Sequence, residues 1–430
     1  MSARPQKIAI IGGGWAGMAA AVTLVQAGRH AVSVFEGARH WGGRARGLDI
    51  TGPQGQVWRV DNGQHILIGA YRDSLALMRQ VGVDVEHALL RQPLDLRDAQ
   101  GQGIHLPDAA PPWDALWGIV RATGWRWHEK TALLRRALRW QVAGFRCAPE
   151  TTVAQLCHGL PPRLLDGFIT PLCVSALNLP IEQASGSVFL RILADSLFAG
   201  RGGSHFLLPR VDMGALFPEA AAHWLAGRGA ALHLGRRVPA IAPGARGWQV
   251  DGEDFSAVLI ATGSAAAARL AQAASPAWAG NAQKLAHTAI ATVYAWADGL
   301  RLVRPMLALA DGPAQFVFDK GQLGGPRGLL ALIVSDSPRQ REQLQGQVLQ
   351  QARAQLGRPD LAALQTVIEK RATFACTPQV QRPAMAIAPG LWACGDYIAG
   401  PYPATLEGAV HSGMAAAQAA LTYGFPDTTG

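Results

Sequence analysis

The sequence predicts an α/β protein in which a nucleotide-binding domain is interleaved with a second domain of mixed sheet and helices. Three observations predict this fold. Two short apolar runs that suit strands buried on both faces, Lys7–Ile11 and Ala257–Ile260, lie far apart in the chain. A third strand-like run ends at Gly395 and precedes the last helix. The stretches between these runs carry strand and helix patterns of their own, so the two domains alternate along the chain.

The first strand runs directly into a glycine-rich turn with the spacing Gly12-x-Gly14-x-x-Gly17, and an Ala-rich amphipathic helix follows. The first glycine permits a tight turn, the second lets backbone approach a pyrophosphate, and the third lets helix and strand pack closely. The start of the helix, which holds Trp15 and Ala16, offers free N–H groups to phosphates. This pattern predicts a Rossmann-type nucleotide site.

A second strand, Ala31–Phe35, ends in Glu36, whose carboxylate is placed to accept hydrogen bonds from an adenosine ribose. Glycine-rich turns are common, and the alternative is a turn that binds no nucleotide. The order of strand, glycines, helix, strand and acid within about thirty residues favours a nucleotide. In the next loop, Gly42 and Gly43 form a flexible turn, and we interpret Arg44 as a cation near the pyrophosphate. A solvated basic loop is the alternative.

Length and composition limit the class of protein. The chain has 430 residues, of which 49% are hydrophobic, so it can bury two substantial cores. We find no signal-peptide pattern and no apolar run near the roughly 18 residues of a membrane span. Five cysteines without a CxxC motif suit a reducing cytoplasm, and the histidine spacings predict no metal site. A net charge of +9 favours an anionic partner, but no motif suggests a nucleic acid.

The segment Pro111–Arg146 has an unusual composition. It holds many basic residues and five of the chain's 13 tryptophans. These tryptophans are Trp113, Trp117, Trp125, Trp127 and Trp140. Tryptophan with arginine on a polar face is typical of a helix that lies on a bilayer, although a core helix with a solvated basic face is the alternative. We interpret the segment as a contact with an anionic membrane surface. The protein is then expected to be cytoplasmic and peripherally associated with the inner face of the cytoplasmic membrane.

Capping residues and periodicity predict further elements in the second half of the chain. Asp212 caps a helix that continues through Pro218, and Arg236–Ile241 follows as a strand. Ser337 opens a helix that ends near Leu356.

The three-part arrangement resembles the FAD-dependent amine oxidase and phytoene desaturase superfamily. The matching residues are Gly12, Gly14, Gly17, Glu36, Gly42-Gly43-Arg44, Ala261-Thr262-Gly263 and Gly395-Asp396. The resemblance implies non-covalently bound FAD and a Rossmann-type FAD-binding domain interleaved with a mixed-sheet plus helical substrate domain. The expected boundaries are 1–85, 206–275 and 386–430 for the FAD-binding domain, and 86–205 and 276–385 for the substrate domain.

The same resemblance implies four further contacts with FAD. The residues after Gly63 lie against the flavin ring, and Gly263 belongs to the mid-chain motif. Val238 holds adenine from the backbone of a strand. The backbone of Leu406, at a helix N-terminus, faces flavin O2 and stabilises negative charge on the reduced ring.

Four stretches of the sequence point to a narrower family within this superfamily. They are VDNGQHILIGAY, PLCVSALNLP, FLLPRVDMGALFP and ACGDYIAGPYPATLEGAVHSG. They are similar to the squalene-associated FAD-dependent desaturases, the hydroxysqualene dehydroxylases of bacterial hopanoid synthesis. This resemblance implies reductive removal of the hydroxyl of hydroxysqualene, a long-chain isoprenoid, to give squalene. One alternative is desaturation or isomerisation of a carotenoid-like polyene, and another is a non-catalytic prenyl-lipid-binding protein. The chain has no second GxGxxG motif for a nicotinamide domain, so the electron donor is not assigned.

Removal of a hydroxyl group needs an acid, because hydroxide leaves poorly. His65 is our first candidate, since the superfamily places the residues after Gly63 against the flavin ring. Tyr402 is the second candidate. Each has a structural alternative, in which the side chain only packs or forms a hydrogen bond with the cofactor.

Overall fold

The chain alternates short strands with helices throughout. The computed structural model describes residues 6–28, 30–198, 200–245, 247–336 and 341–423. Its strands, in chain order, are β1 (Gln6–Ile11), β2 (His30–Glu36), β3 (Gly47–Thr51), β4 (Val57–Asp61), β5 (Leu67–Ile68), β6 (Leu89–Gln92), β7 (Asp95–Arg97), β8 (Gly103–His105), β9 (Phe206–Pro209), β10 (Ala231–Leu234), β11 (Ile241–Gly244), β12 (Gly247–Val250), β13 (Glu253–Phe255), β14 (Ala257–Ile260), β15 (His287–Trp296), β16 (Met306–Ala308), β17 (Phe316–Asp319), β18 (Leu329–Ser335), β19 (Ala362–Phe374), β20 (Ala386–Ala388) and β21 (Leu391–Ala393).

The helices range from single turns to the 17 residues of the last one. In chain order they are α1 (Trp15–Gln26), α2 (Arg72–Gln80), α3 (Val85–Ala88), α4 (Trp113–Arg121), α5 (Trp127–Val142), α6 (Val153–Leu156), α7 (Pro162–Leu164), α8 (Thr170–Leu177), α9 (Gly186–Leu197), α10 (Met213–Leu216), α11 (Pro218–Ala226), α12 (Ser264–Ala271), α13 (Pro276–Gln283), α14 (Arg341–Leu356) and α15 (Leu406–Thr422). A π-helical turn covers Leu165–Ile169, and a 3-10 turn covers Lys320–Gln322.

One sheet takes its strands from the start, the middle and the end of the chain, in the order β10-β2-β1-β14-β21-β20. Neighbours are parallel except β20, which is antiparallel to β21. The central strand β1 is apolar because both of its faces are covered. Ile8 and Ile10 belong to a core with α1, α11 and α15, whereas Ala9 and Ile11 belong to a core with α12, α13 and the small sheet β11-β12-β13.

A second sheet, with the antiparallel order β16-β17-β18-β15-β19, forms the other layer next to the site. One face of it packs against α14, where Leu344 and Val348 are buried with Val293 and Leu332. The opposite face carries buried aromatic and aliphatic residues such as Phe318. Smaller sheets, β3-β4, β7-β8 and β5-β9-β6, and the helices α4 to α9 complete this part of the chain.

Two predicted elements are wrong, and one lies partly outside the described residues. The helix that Asp212 caps ends at Leu216, and α11 starts anew at Pro218, because proline cannot supply the N–H that would continue the first helix. Residues 236–240 form no strand, and β11 begins only at Ile241, since Pro239 has no N–H for a sheet. The predicted helix start at Ser337 lies outside the described residues.

Candidate active site

A connected cavity of about 1400 Å³ lies at the carboxyl ends of the parallel strands β1, β2 and β14, and extends to the apolar face of the second sheet. In open α/β sheets, ligands bind at this edge. Its walls include most of the residues predicted to contact FAD: Gly12, Gly14, Trp15, Ala16, Glu36, Gly43, Arg44, Gly63, Val238, Gly263, Gly395, Asp396 and Leu406. Their individual contacts with FAD stay predictions.

Gly17 does not line the cavity, and its place in the fold explains why glycine is needed there. A Cβ on Gly17 would lie 1.9 Å from the carbonyl oxygen of Gly12 and 3.0 Å from the side chain of Ala261. The helix therefore starts in direct contact with the turn that precedes it. This is the close helix–strand packing expected of the third glycine of the motif.

Glu36 is fixed at the end of β2 by two backbone hydrogen bonds. The N–H of Gly13 donates to Oε2 at 2.8 Å, and the N–H of Ala38 donates to Oε1 at 2.7 Å. Each carboxylate oxygen can accept a further hydrogen bond, so the group remains able to bind ribose hydroxyls.

Arg44 lies on the cavity wall and forms an ion pair that the sequence did not predict. Its guanidinium pairs with the buried carboxylate of Asp396, with Nη2 2.5 Å from Oδ1, and it donates to the carbonyl of Ala372 at 3.0 Å. The charge of Asp396 raises the pKa of Arg44. Arg44 therefore joins the Gly42–Gly43 turn to the Gly395–Asp396 turn, and Asp396 neutralises the cation that the sequence assigned to a pyrophosphate.

The cavity walls fit a dinucleotide with many polar atoms. In the described part of the chain, four buried polar atoms on these walls have no hydrogen-bond partner: Trp15 Nε1, His65 Nδ1, Thr262 Oγ1 and Tyr397 Oη. Buried polar groups in proteins are normally hydrogen-bonded, so four such atoms around one cavity indicate a polar ligand.

The N-terminus of α15 also faces the cavity. Thr405 caps the helix, since its side chain accepts a hydrogen bond from the N–H of Gly408 at 2.9 Å. Thr405, Leu406 and Glu407 all line the cavity. The positive end of the helix dipole is thus directed towards the cavity. The contact of Leu406 with the flavin stays a prediction.

Many of the other wall residues are apolar. They include Ile66, Ile68, Leu94, Leu96, Leu172, Ile192, Phe198, Phe206, Ile290, Met306, Phe316, Phe318 and Ile333. A surface of this kind binds hydrocarbon, because its burial removes apolar area from water on both sides.

Both catalytic candidates, His65 and Tyr402, lie on the cavity wall, but their surroundings differ. Burial lowers the pKa of His65 to about 4, so its imidazole is neutral at neutral pH. The guanidinium of Arg191 lies 5.7 Å from the ring centroid of Tyr402. Arg191 also pairs with Asp195 through Nε at 2.6 Å from Oδ2. Both residues of this pair lie on α9.

Sequence reasoning missed two other ionisable pairs near the site. His411 Nδ1 lies 2.9 Å from Asp73 Oδ2, and both residues line the cavity. Behind the wall, burial raises the pKa of Asp61 to about 7, although the ammonium of Lys320 opposes this shift. Asp61 belongs to the VDNGQH block, but no spacing in that block indicates a buried carboxyl group.

Comparison with known proteins defines the class. Residues 15–421 match the model of the family described as flavin containing amine oxidoreductase, and the chain belongs to this family. It is an FAD-dependent oxidoreductase, so the predicted superfamily, fold class and cofactor are confirmed.

The chain is more narrowly similar to three proteins named hydroxysqualene dehydroxylase. The one from Rhodopseudomonas palustris is 28% identical, with 96% of this chain and 98% of that protein covered. Those from Sinorhizobium fredii and Zymomonas mobilis are 27% and 24% identical, and cover 97% and 96% of this chain and 99% of each protein.

Solved structures share the fold at low identity. An oxidoreductase from Methanosarcina mazei gives a TM-score of 0.71 at 17% identity, over 96% of this chain and 100% of that one. Cyclohexylamine oxidase from Brevibacterium oxydans gives a TM-score of 0.70 at 15% identity, over 97% of this chain and 98% of that one.

Proposed function

We propose that the protein removes the hydroxyl group of hydroxysqualene reductively to give squalene. The observation that carries this proposal is one cavity whose wall holds both the residues predicted to bind a dinucleotide and a large set of apolar side chains. At about 1400 Å³, the cavity exceeds the roughly 300–1,000 Å³ of ordinary small-molecule sites, as a dinucleotide and a long hydrocarbon together require. The names of the three relatives agree with this substrate.

In the proposed reaction, the C–O bond breaks, the departing hydroxyl takes a proton and leaves as water, and a hydride reaches the same carbon. FAD in its reduced form supplies that hydride when bound. The apolar wall holds the isoprenoid chain and keeps water from the reacting carbon. A proton must come from the polar wall.

We propose Tyr402 as the proton donor and His65 as a residue that positions the ligand. Tyr402 carries an O–H donor, lies on the cavity wall and has the guanidinium of Arg191 beside its ring. A neutral His65, by contrast, is a poor proton donor, although its ring can still form hydrogen bonds. This reverses the order in which the sequence ranked the two candidates.

The function is tested by single-turnover anaerobic mixing of the flavin-reduced protein with hydroxysqualene. We expect the flavin to be reoxidised and squalene to form in equal amounts. Reduced protein without hydroxysqualene is the control, and it should stay reduced. Reoxidation only by oxygen, with desaturation of a polyene by the oxidised protein, would instead favour the desaturase alternative. A purified protein without flavin that binds prenyl lipids would favour the non-catalytic one.

We also propose that α4 and α5 bind an anionic membrane surface. Trp113, Trp117 and Trp127 are 57%, 46% and 67% exposed. The other two tryptophans of the segment face the core: Trp125 is half-buried and packs on Phe168, and Trp140 is buried.

The charges of this segment support an anionic partner. Its two carboxylates, Asp114 and Glu129, are both buried. The exposed charges are therefore all positive: Arg121, Arg126, Arg135, Arg139 and Arg146. Among the residues that the structure describes, no helix has both the length and the apolar character needed to cross a bilayer.

One residue of the cavity wall contacts the end of the tryptophan-rich segment. Phe198 lines the cavity and is 36% exposed, and its ring centroid lies 5.1 Å from that of Phe145, at the end of the tryptophan-rich segment.

Replacing Trp113, Trp117 and Trp127 together by glutamine should weaken binding to phosphatidylglycerol vesicles by on the order of tenfold or more, because interfacial anchoring is lost. Vesicle co-sedimentation measures the effect, and the visible flavin spectrum should not change. Added salt should also weaken wild-type binding, since it screens the arginines. The matched control replaces the exposed Val57, Leu234 and Val303 by glutamine. If both triple variants bind vesicles as tightly as the wild type does, the segment does not anchor the protein to a membrane. It is then a core helix region with a solvated basic face.

A further inference from the structure

A second cavity, of about 710 Å³, lies beside α12 and β19 and belongs to no part of the proposed reaction. Its ionisable wall residues are Arg269, Lys370, Arg371 and His287, and no carboxylate of the described residues lines it. Arg269 lines the first cavity as well, so the two cavities meet at this side chain.

Two of these cations, Lys370 and Arg371, have no side-chain partner in the described ranges that would explain their position, whereas Arg269 donates to the carbonyl of Ala265 at 3.1 Å. Arg269, Lys370 and Arg371 are exposed, and none forms an ion pair with a carboxylate in the described ranges. Nearby Arg44, in contrast, is neutralised by Asp396. Like charges gathered around one concave surface repel each other, so folding alone does not favour this cluster. A bound anion would remove that repulsion.

Neutral hydrogen-bonding groups complete the wall. Ser264 is buried, and its hydroxyl lies 3.4 Å from Nε2 of His287. Nδ1 of His287 lies 3.0 Å from the carbonyl oxygen of Leu285, to which it donates. Burial, and then the charge of Arg44, lower the pKa of His287, so this imidazole is neutral at neutral pH. The amides of Gln272 and Gln283 lie on the same wall.

We propose that this cavity is a second anion site, which binds a phosphate or diphosphate group. Arginine and lysine together match a multiply charged phosphate, because guanidinium donates in pairs and ammonium acts as a point charge. The volume lies in the range of small-molecule sites and leaves room for an organic part that the two glutamines and Ser264 can contact.

Calorimetric titration of the FAD-loaded protein at low salt tests the proposal. The probes are inorganic diphosphate, NADPH, NADH and phosphatidylglycerol vesicles. We expect at least one phosphate-bearing probe to bind, and the variant Lys370→Gln/Arg371→Gln to bind it at least tenfold more weakly. The control variant, Arg301→Gln/Arg327→Gln, removes two exposed cations elsewhere and should bind within about twofold of wild type.

The pattern of probes distinguishes the sources of the phosphate. Tighter binding of NADPH than of NADH, in competition with diphosphate, would identify a nucleotide phosphate. Binding of diphosphate alone would identify a free anion, and a loss confined to vesicles would identify a lipid headgroup. The proposal is overturned if no probe binds, or if both double variants lose binding equally. Retained flavin absorbance in each variant shows that the fold is intact.

Discussion

The variant Gly17→Ala should lose most of its FAD and unfold more easily by about 1–3 kcal/mol, the usual effect of forcing extra volume into packed structure. The new Cβ would lie 1.9 Å from the carbonyl oxygen of Gly12, which is backbone and cannot move aside without opening the turn. The N-terminus of α1 would then shift from its place against the cavity. Loss of FAD adds to the instability, because the cofactor binds only the folded state.

A matched substitution separates this effect from that of alanine itself. Gly346 is also helical, lies in α14 and is exposed, and a Cβ there meets no atom within 4 Å. Gly346→Ala should leave FAD content unchanged and stabilise the protein by up to about 1 kcal/mol through helix propensity. Flavin absorbance per protein and urea unfolding measure both variants. If Gly17→Ala retains FAD and stability as Gly346→Ala does, the close packing at the turn is not needed.

Tyr402→Phe should slow anaerobic reoxidation of the reduced flavin by hydroxysqualene by roughly 10²–10⁴-fold, the range for loss of a positioned acid. The substitution removes only the hydroxyl, so FAD content should not change. His65→Gln should slow the same step by less than about tenfold, since a neutral imidazole contributes hydrogen bonds and not a proton. Stopped-flow absorbance at the flavin band follows the reaction.

The pH profile provides a second readout. Because burial holds the pKa of His65 at about 4, its imidazole is neutral above pH 5, and the rate should show no step from it between pH 6 and 8. A change in the reoxidation rate near pH 6.5 that is absent from His65→Gln would indicate that His65 is the acid. Normal turnover of Tyr402→Phe would remove Tyr402 from that role.

Local patterns were enough to predict the nucleotide-binding part of the fold. The turn after β1, the helix α1 and the acid at the end of β2 depend on contacts between residues close in sequence, and their spacing is strict because backbone must approach a phosphate. The failures had local causes as well. Pro218 and Pro239 lie where a helix or a strand needs a backbone N–H to continue. A prediction from apolar periodicity does not take that donor into account.

The electrostatic state of the site could not be predicted from the sequence in the same way. Arg44 and Asp396 are 352 residues apart, and Asp73 and His411 are 338 apart, so no spacing rule connects them. The neutrality of His65 results mainly from burial by the surrounding residues. These ion pairs and the protonation state of His65 depend on which elements, distant in sequence, pack together. The patterns in a single sequence do not indicate that packing.

The order of strands in the first sheet has a consequence for how the protein is made. The strand β14 pairs with β1 on one side and with β21 on the other, so the sheet is complete only after Leu391–Ala393 has been synthesised. At roughly 5–20 residues per second, a ribosome needs about 20–70 s to go from the end of β2 to β21. During that time the nascent chain has apolar strands without their neighbours and no closed pocket for its flavin. Newly made protein should therefore depend on chaperones, and it can acquire FAD only once its C-terminal helix has left the ribosome.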